Sequence, residues 1–534
     1  MRLNRQALRE TSFWNAAGVK TPRYDAAEMA EKTRSSPIWL HFGAGNIFRG
    51  FIAGLQHRLL NEGLSDRGIV AAETFDYEII DKIFAPHDHL ALNVLLNPDA
   101  TTSCEIIASV AESLKGGVHF QRLREIFRSP GLQLISFTVT EKGYAITGSD
   151  GELLPQVKDD IRNGPANSPR HAMAITAALL LERYTSCAKP LALVSMDNCS
   201  RNGEKLKQGV LGVAREWCGS GFADSGFIAW LEDESKVSFP WTMIDKITPR
   251  PAKAVEDMLA AKGIEGIAPV VTDKNTYIAA FVNAERPQYL VVEDAFPNGR
   301  PPLEKAGVFM TDRETVNKVE RMKVTACLNP LHTAMSVYGC LLGYTLICEE
   351  MKDAEIVALI RRLGYDEGLP VVIDPGILSP RAFLDEVVNE RLPNPFMPDD
   401  PRRIATDTSQ KVGIRFGETI KSYMAEGRGL ETLIAVPLSI AGWFRYLLGV
   451  NDNGEPMEVS SDPLKAELQA ALSGVVWNEP SRYKNQLRGI LSNKNIFGLD
   501  LTETLLADRI EEMFVKLLHG PGSARKVLKA YLKV

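Results

Sequence analysis

An α/β domain built on a largely parallel sheet, followed by a mainly helical domain, is the architecture this sequence predicts. Three observations predict it. At 534 residues the chain is too long for one ordinary hydrophobic core, so two domains are expected. Its first half alternates short β-type runs with amphipathic or Ala/Leu-rich segments, as parallel strands joined by helices do. After about residue 300, β-branched runs become scarce and apolar residues recur at steps of three and four, the helical period. Neither half contains an internal repeat or a low-complexity tract.

Taken in order, strands are expected at 38–42, Ile69–Glu73, 132–140, 191–196, 269–271 and 289–292. Helices are expected between several of them, notably at 51–61 and 172–184. Asn298-Gly299-Arg300-Pro301-Pro302 reads as a turn or linker, which divides the chain into 1–299 and 300–534. Beyond it, 354–363 and 464–472 carry the helical spacing. The two most apolar stretches are 334–348, too short to cross a bilayer, and 433–450, which carries Arg445 near its middle. Both are expected to be buried helices.

Composition narrows the function. The chain is 45% hydrophobic and 24% charged, which is ordinary for a soluble globular protein. A net charge of −6 and a pI near 5.9 speak against nucleic acid or an anionic membrane as partner. A local basic pocket for a small anionic substrate is compatible with them. The N-terminus has no apolar core of signal-peptide length. Seven cysteines are scattered without a CxxC pair, which predicts reduced thiols in a cytoplasmic protein. A monomer or small homo-oligomer is expected, with a small molecule as its partner.

The strand at 38–42 runs into Gly43-Ala44-Gly45-Asn46-Ile47-Phe48-Arg49-Gly50 and then into a helix. This is the logic of a dinucleotide site. Gly43 permits a tight turn and Gly45 lets the backbone approach a pyrophosphate. The helix start then offers free N–H groups to that anion. The third glycine of the usual fingerprint is replaced by Phe48, so the helix is expected to sit farther from the strand. Glu73 ends the second strand and Asp76 follows it. An acid there accepts hydrogen bonds from the adenosine ribose and repels a 2′-phosphate, which favours NAD over NADP. Either residue can serve; the other reading of Asp76 is a cap for a helix starting at Tyr77.

Several further segments match one family in order. Thr138-Val139-Thr140-Glu141-Lys142-Gly143-Tyr144 comes first, then Ser195-Met196-Asp197-Asn198 leading to Asn202-Gly203. Met243-Ile244-Asp245-Lys246-Ile247-Thr248-Pro249, Glu293-Asp294 and Phe296-Pro297 follow, and then the series Lys323, Asn329, His332. This order resembles the long-chain mannitol dehydrogenase family, whose activities include mannitol, arabinitol, mannonate and altronate dehydrogenation. The resemblance implies a Rossmann-like N-terminal domain, a helical C-terminal domain, and a substrate in the cleft between them. It implies cofactor contacts along Gly43, Gly45, Asn46, Phe48, Arg49 and Thr140, with Glu73 or Asp76 on the ribose.

Oxidising a secondary alcohol needs a base for the hydroxyl proton, donors for the developing oxyanion, and a hydride acceptor. With eight histidines and no convincing zinc-ligand spacing, the expected solution uses no metal. It calls instead for a lysine whose pKa is lowered by burial or nearby positive charge. By resemblance Lys323 is that general base, Asn329 and Asn198 polarise the oxygen, and His332 holds substrate hydroxyls. Glu320 matches an acid associated with proton passage. Glu390-Arg391-Leu392-Pro393-Asn394 and Asp407-Thr408-Ser409-Gln410-Lys411 resemble the family's Arg-Phe-x-Asn and Asp-x-Ser-x-Lys segments, with Leu392 in place of the phenylalanine. Arg391 and Lys411, with Asn202 and Asp245, are the expected substrate ligands; a guanidinium suits a carboxylate by its fork geometry.

One departure concerns spacing. The family usually has five positions from lysine to asparagine and eight from lysine to histidine; here the steps are six (329 − 323) and nine (332 − 323). On a regular helix nine residues place Lys323 and His332 about 180° apart, whereas eight place them about 80° apart. Either a one-residue π-bulge between Val324 and Pro330 restores the shared face, or the lysine's role is displaced; the bulge is the preferred account. The expected reaction is reversible NAD-linked hydride transfer on a polyol or aldonate, first of all D-mannonate/D-fructuronate. A neutral polyol 2-dehydrogenase is the near alternative, and a non-catalytic NADH- or sugar-acid-binding protein the distant one.

Overall fold

The computed structural model describes residues 1–99 and 101–534. The chain forms two compact units, Met1–Asn97 with Thr101–Val316, and Asn317–Val534. The turn at 298–302 lies inside the first unit, because Phe309–Thr311 returns as a strand beside Tyr289–Glu293.

Six strands make the main sheet of the first unit: β1 (Trp39–Phe42), β2 (Ile69–Glu73), β3 (Val110–Lys115), β4 (Leu134–Phe137), β5 (Leu191–Ser195) and β6 (Val237–Ser238). They run β3-β2-β1-β4-β5-β6, every neighbouring pair parallel. This is the doubly wound order of a dinucleotide-binding fold. Both faces are apolar, as a parallel sheet covered on two sides requires. Leu40, Phe42, Val70, Ile135 and Phe137 pack into one core with the helices Phe120–Arg128, Ala172–Ser186 and Asn202–Gly219. Trp39, Ile69, Ala71, Leu134 and Val194 alternate to the other face, against Phe48, Ile52, Leu55 and Leu59.

Besides the pair Val270–Val271 and Tyr277–Ile278, where the strand pattern expected 269–271, the same unit carries two smaller sheets that the pattern announced only at 289–292. One joins Val19–Lys20, Thr102–Ile107, Ala91–Leu96 and Phe281–Glu285; the other joins Thr242–Asp245, Tyr289–Glu293 and Phe309–Thr311. The expected strand 132–140 is shorter than its apolar run. Beyond Phe137 the chain leaves the sheet, and Thr140 takes φ 66°, ψ 161°, which no strand allows.

The second unit is helical. Asn329–Leu342 and Ala435–Tyr446 pack together at its centre, where Tyr338 donates to the Leu438 carbonyl at 2.9 Å. Gly442 makes this approach possible, since a Cβ there would lie 2.7 Å from the Tyr338 ring. Arg445 is buried on the second of these helices, and its guanidinium donates to the carbonyls of Leu517, Val450 and Asn451. Among the described residues no helix is long and apolar enough to cross a membrane.

Candidate active site

The first unit places a cavity of about 460 Å³ at the carboxyl ends of β1 and β4, where the strand order reverses. Open α/β sheets bind ligands at this switch point. Gly43, Gly45, Glu73, Asp76 and Thr140 line it, together with Phe75, Thr138, Lys142, Arg170 and His171. Gly43 has φ 103°, and a Cβ there would meet the Thr138 carbonyl oxygen at 2.2 Å, so only glycine fits between the two strand ends. A Cβ on Gly45 would meet nothing within 4 Å and would occupy cavity space. These positions form the backbone cradle that a dinucleotide pyrophosphate requires.

Two carboxylates hold the cradle's loops. Glu73 Oε2 accepts from the Ala44 N–H at 2.8 Å, while Oε1 accepts from those of Thr74, Phe75 and Asp76 at 2.9, 2.9 and 3.3 Å. Asp197 does the same on the other side. It accepts from the N–H groups of Val139 and Thr140 at 2.9 and 3.1 Å, and from the Tyr144 hydroxyl at 2.5 Å. Burial raises the Asp197 carboxyl above its ordinary range, opposed by these donors, and burial beside Asp197 raises the Tyr144 phenol. Asp197 thus pins the strained Thr140, a role that the motif alone did not reveal. Asp76 is buried and does not cap a helix at Tyr77; its Oδ2 instead accepts from Thr272 Oγ1 at 2.6 Å.

Three of the expected ligands act from beneath. Phe48 is fully buried, its ring stacked on His41 at 4.2 Å, in a π-helical turn (Phe48–Ile52) that opens the following helix. His41 is hydrogen-bonded to Ser136 Oγ at 2.6 Å and Thr138 Oγ1 at 2.8 Å, and burial lowers its pKa to about 3, so it stays neutral. Arg49 is buried too, donating to the Ala279 carbonyl and to Asn46 Oδ1, and burial lowers it to about 9. Asn202 is 1% exposed; its amide donates to Asp197 O, Thr242 O and Thr242 Oγ1 and accepts from Thr242 N. Phe48 and Asn202 thus brace the cradle from beneath, and Arg49 lies buried with its Nε unpaired among the described residues. Asn46 is half-buried beside the cradle, Asn198 is exposed after β5, and Asp245 is buried at the end of its strand.

In the second unit the lysine segment is irregular. A π-helical turn, Lys323–Cys327, ends with Leu328 N–H donating to the Lys323 carbonyl at 3.1 Å, an i to i+5 bond. Leu328 then breaks the helix at φ −135°, ψ −62°, and Asn329–Leu342 starts afresh with Pro330 in its first turn. There Pro330 needs no N–H partner. The π-turn spans Lys323–Cys327 and the break falls at Leu328, so the regular-helix separation of Lys323 from His332 does not apply. Lys323 is buried; Asn329 and His332 are half-buried.

Arg391 is buried in another π-turn, Val387–Arg391. Lys411 is half-buried, its ammonium donating to the carbonyls of Thr406 and Ile404; burial and then Arg415 lower its pKa. Sequence reasoning missed Arg415. It sits on the π-turn Gly413–Gly417 and donates to Thr333 Oγ1, whose hydroxyl donates to the Asn329 carbonyl at 3.2 Å. Among the described residues no three His, Cys, Asp or Glu side chains gather as a metal-ligand set.

Comparison with known proteins agrees with this architecture. The family model "Mannitol dehydrogenase Rossmann domain" matches residues 37–305, and "Mannitol dehydrogenase C-terminal domain" matches 315–518. D-mannonate oxidoreductase of Thermotoga maritima is 51% identical over 99% of this chain and 98% of its own. Mannitol 2-dehydrogenase of Aspergillus fumigatus is 29% identical over 94% and 93%. The ternary complex of Pseudomonas fluorescens mannitol 2-dehydrogenase with NAD and D-mannitol superposes with a TM-score of 0.70 at 27% identity, covering 100% of both chains. With its switch-point cradle, its lysine-bearing π-turn and these matches along both units, the chain belongs to the mannitol dehydrogenase family.

Proposed function

We propose that this protein is an NAD-dependent D-mannonate oxidoreductase, interconverting D-mannonate and its keto acid D-fructuronate. The observation that carries the reading is the 51% identity, end to end, with a D-mannonate oxidoreductase. The cradle at Gly43 and Gly45 supports the cofactor half of it, and the Glu73 carboxylate beside that cradle favours NAD over NADP.

When bound, the nicotinamide cofactor supplies or accepts the hydride. The chain's own groups manage the proton and the substrate. In reduction the Lys323 ammonium gives its proton to the carbonyl oxygen as that oxygen gains negative charge; in oxidation the amine takes the proton back. Asn329 and Asn198 donate to the oxygen and stabilise its developing charge. His332, Asp245, Arg391 and Lys411 hold substrate hydroxyls. Asn202 and Asp197 hold the loops around Asn198 and Thr140. The seven free cysteines suit a reducing cytoplasm.

The test is NADH oxidation at 340 nm with D-fructuronate, the neutral ketose D-fructose and other keto acids, before and after prolonged EDTA treatment and desalting. D-fructuronate is expected to be the best substrate, with EDTA without effect and NADPH a poor donor. Preference for D-fructose would favour the mannitol 2-dehydrogenase reading, which the A. fumigatus relative supports at 29% identity. Binding without turnover of any sugar would leave only a binding protein. Activity lost to EDTA and restored by zinc would overturn the Lys323 mechanism.

A further inference from the structure

The second unit holds a cation without a counter-charge. Arg415 is half-buried, with its Nε fully buried; among the described residues the guanidinium's one hydrogen-bond partner is Thr333 Oγ1, and Nε has none. Burial lowers Arg415 to about 10, and among the described residues no carboxylate is bonded to its guanidinium. Buried charges in proteins are ordinarily paired, because an unpaired one carries its desolvation cost unrelieved. Four of the five N–H donors are left for something else.

The position is also built. Gly413 and Gly417 flank Arg415, and a Cβ at either would lie 2.6 Å from the Ile496 carbonyl oxygen or 2.0 Å from that of Phe497. The π-turn is thereby seated directly on the backbone of the helix Lys494–Phe497. Through Thr333 it is tied to the Asn329 carbonyl, at the start of the helix that carries Asn329 and His332. The neighbouring Lys411, whose ammonium donates to the carbonyls of Ile404 and Thr406, adds to the positive charge.

We infer that Arg415 is the residue that selects an acid substrate: its free guanidinium edge receives the carboxylate of the open-chain sugar acid while Asn329 and His332 engage the polyol end. This rests on the D-mannonate reading above and gives it a specificity determinant. A guanidinium fork binds a carboxylate through two parallel hydrogen bonds, and a neutral polyol offers it no matching anion.

Steady-state kinetics of Arg415→Gln and Arg415→Lys with NADH test it, comparing D-fructuronate with D-fructose. For Arg415→Gln, kcat/KM for the keto acid is expected to fall roughly 10- to 150-fold, the usual range for a charged hydrogen bond. The loss should appear mainly in KM, with D-fructose changed less than about twofold. Arg415→Lys, which keeps the charge and loses the fork, should fall between, and it carries the test alone if the glutamine variant does not fold. An unchanged KM for the keto acid, or equal losses on both sugars, overturns the inference. A wild-type enzyme that reduces only the neutral ketose overturns both this inference and the acid reading beneath it.

Discussion

At the scale of single residues, the cofactor cradle depends on groups that hold backbone in place. Thr140 is the most strained of them. With φ 66° and ψ 161° it occupies a region that is essentially glycine's own, at a cost of about 1–3 kcal/mol. Asp197 compensates by accepting from Thr140 N–H and from Val139 N–H, and Glu73 plays the matching part at Ala44 and Thr74–Asp76. Thr140→Gly is therefore expected to stabilise the protein by about 1 kcal/mol, since glycine adopts this conformation without the Cβ penalty. Urea denaturation would check it; a lower midpoint would show that the threonine side chain contributes more than its backbone costs. The sequence exposed Gly43 and Gly45 because a strand running into GxG has few other uses. It did not expose Asp197 as a clamp or Arg415 as a cation. Asp197 stands in a motif that does not show its role and Arg415 in none, and each role depends on partners distant in the chain, as in the Arg415–Thr333 pair.

At the scale of elements, what was legible followed how local the determinants were. β2 and β5 read directly as apolar runs because both of their faces are buried. The bulge after Lys323 was legible as a spacing that a regular helix could not accommodate. The strands Ala91–Leu96 and Thr102–Ile107 were not, since Asn93, Ser103 and Glu105 interrupt their apolar character and the pairing of Ala91–Leu96 with Phe281–Glu285 is long-range.

The helix Ile347–Glu350 supplies an element-scale prediction. Glu350 is fully buried against the helix Asn329–Leu342, and a Cβ on Gly339 would lie 2.0 Å from its Oε1. Among the described residues neither oxygen has a hydrogen-bond partner. Burial, reinforced by Asp353, Asp399 and Asp400, pushes its pKa from 4.5 up to about 9. The folded protein keeps this proton where the unfolded chain loses it, so its contribution to stability is full below about pH 4.5. That contribution declines as pH rises toward 9 and is level above. Glu350→Gln should remove this slope and leave the variant more stable than wild type at pH 8–9. Denaturation midpoints measured from pH 5 to 9 decide it, and parallel curves for the two proteins would refute it.

At the scale of the whole molecule, the two-part plan was visible in the change of texture near residue 300. The compact units part between Val316 and Asn317, within the helix Arg313–Met322, because a last strand returns to the first unit after the Pro-rich turn. The proposed reaction turns on Lys323 as the group that gives and takes the proton. The most direct measurement is turnover of D-fructuronate by Lys323→Ala, with NADH affinity determined by fluorescence on the same sample. Turnover is expected to fall by about 10²–10⁴, the range for losing a general acid or base, with NADH binding unchanged. Turnover within a few-fold of wild type, at undiminished NADH affinity, would contradict it and return the search for the proton donor to the other titratable groups of the chain.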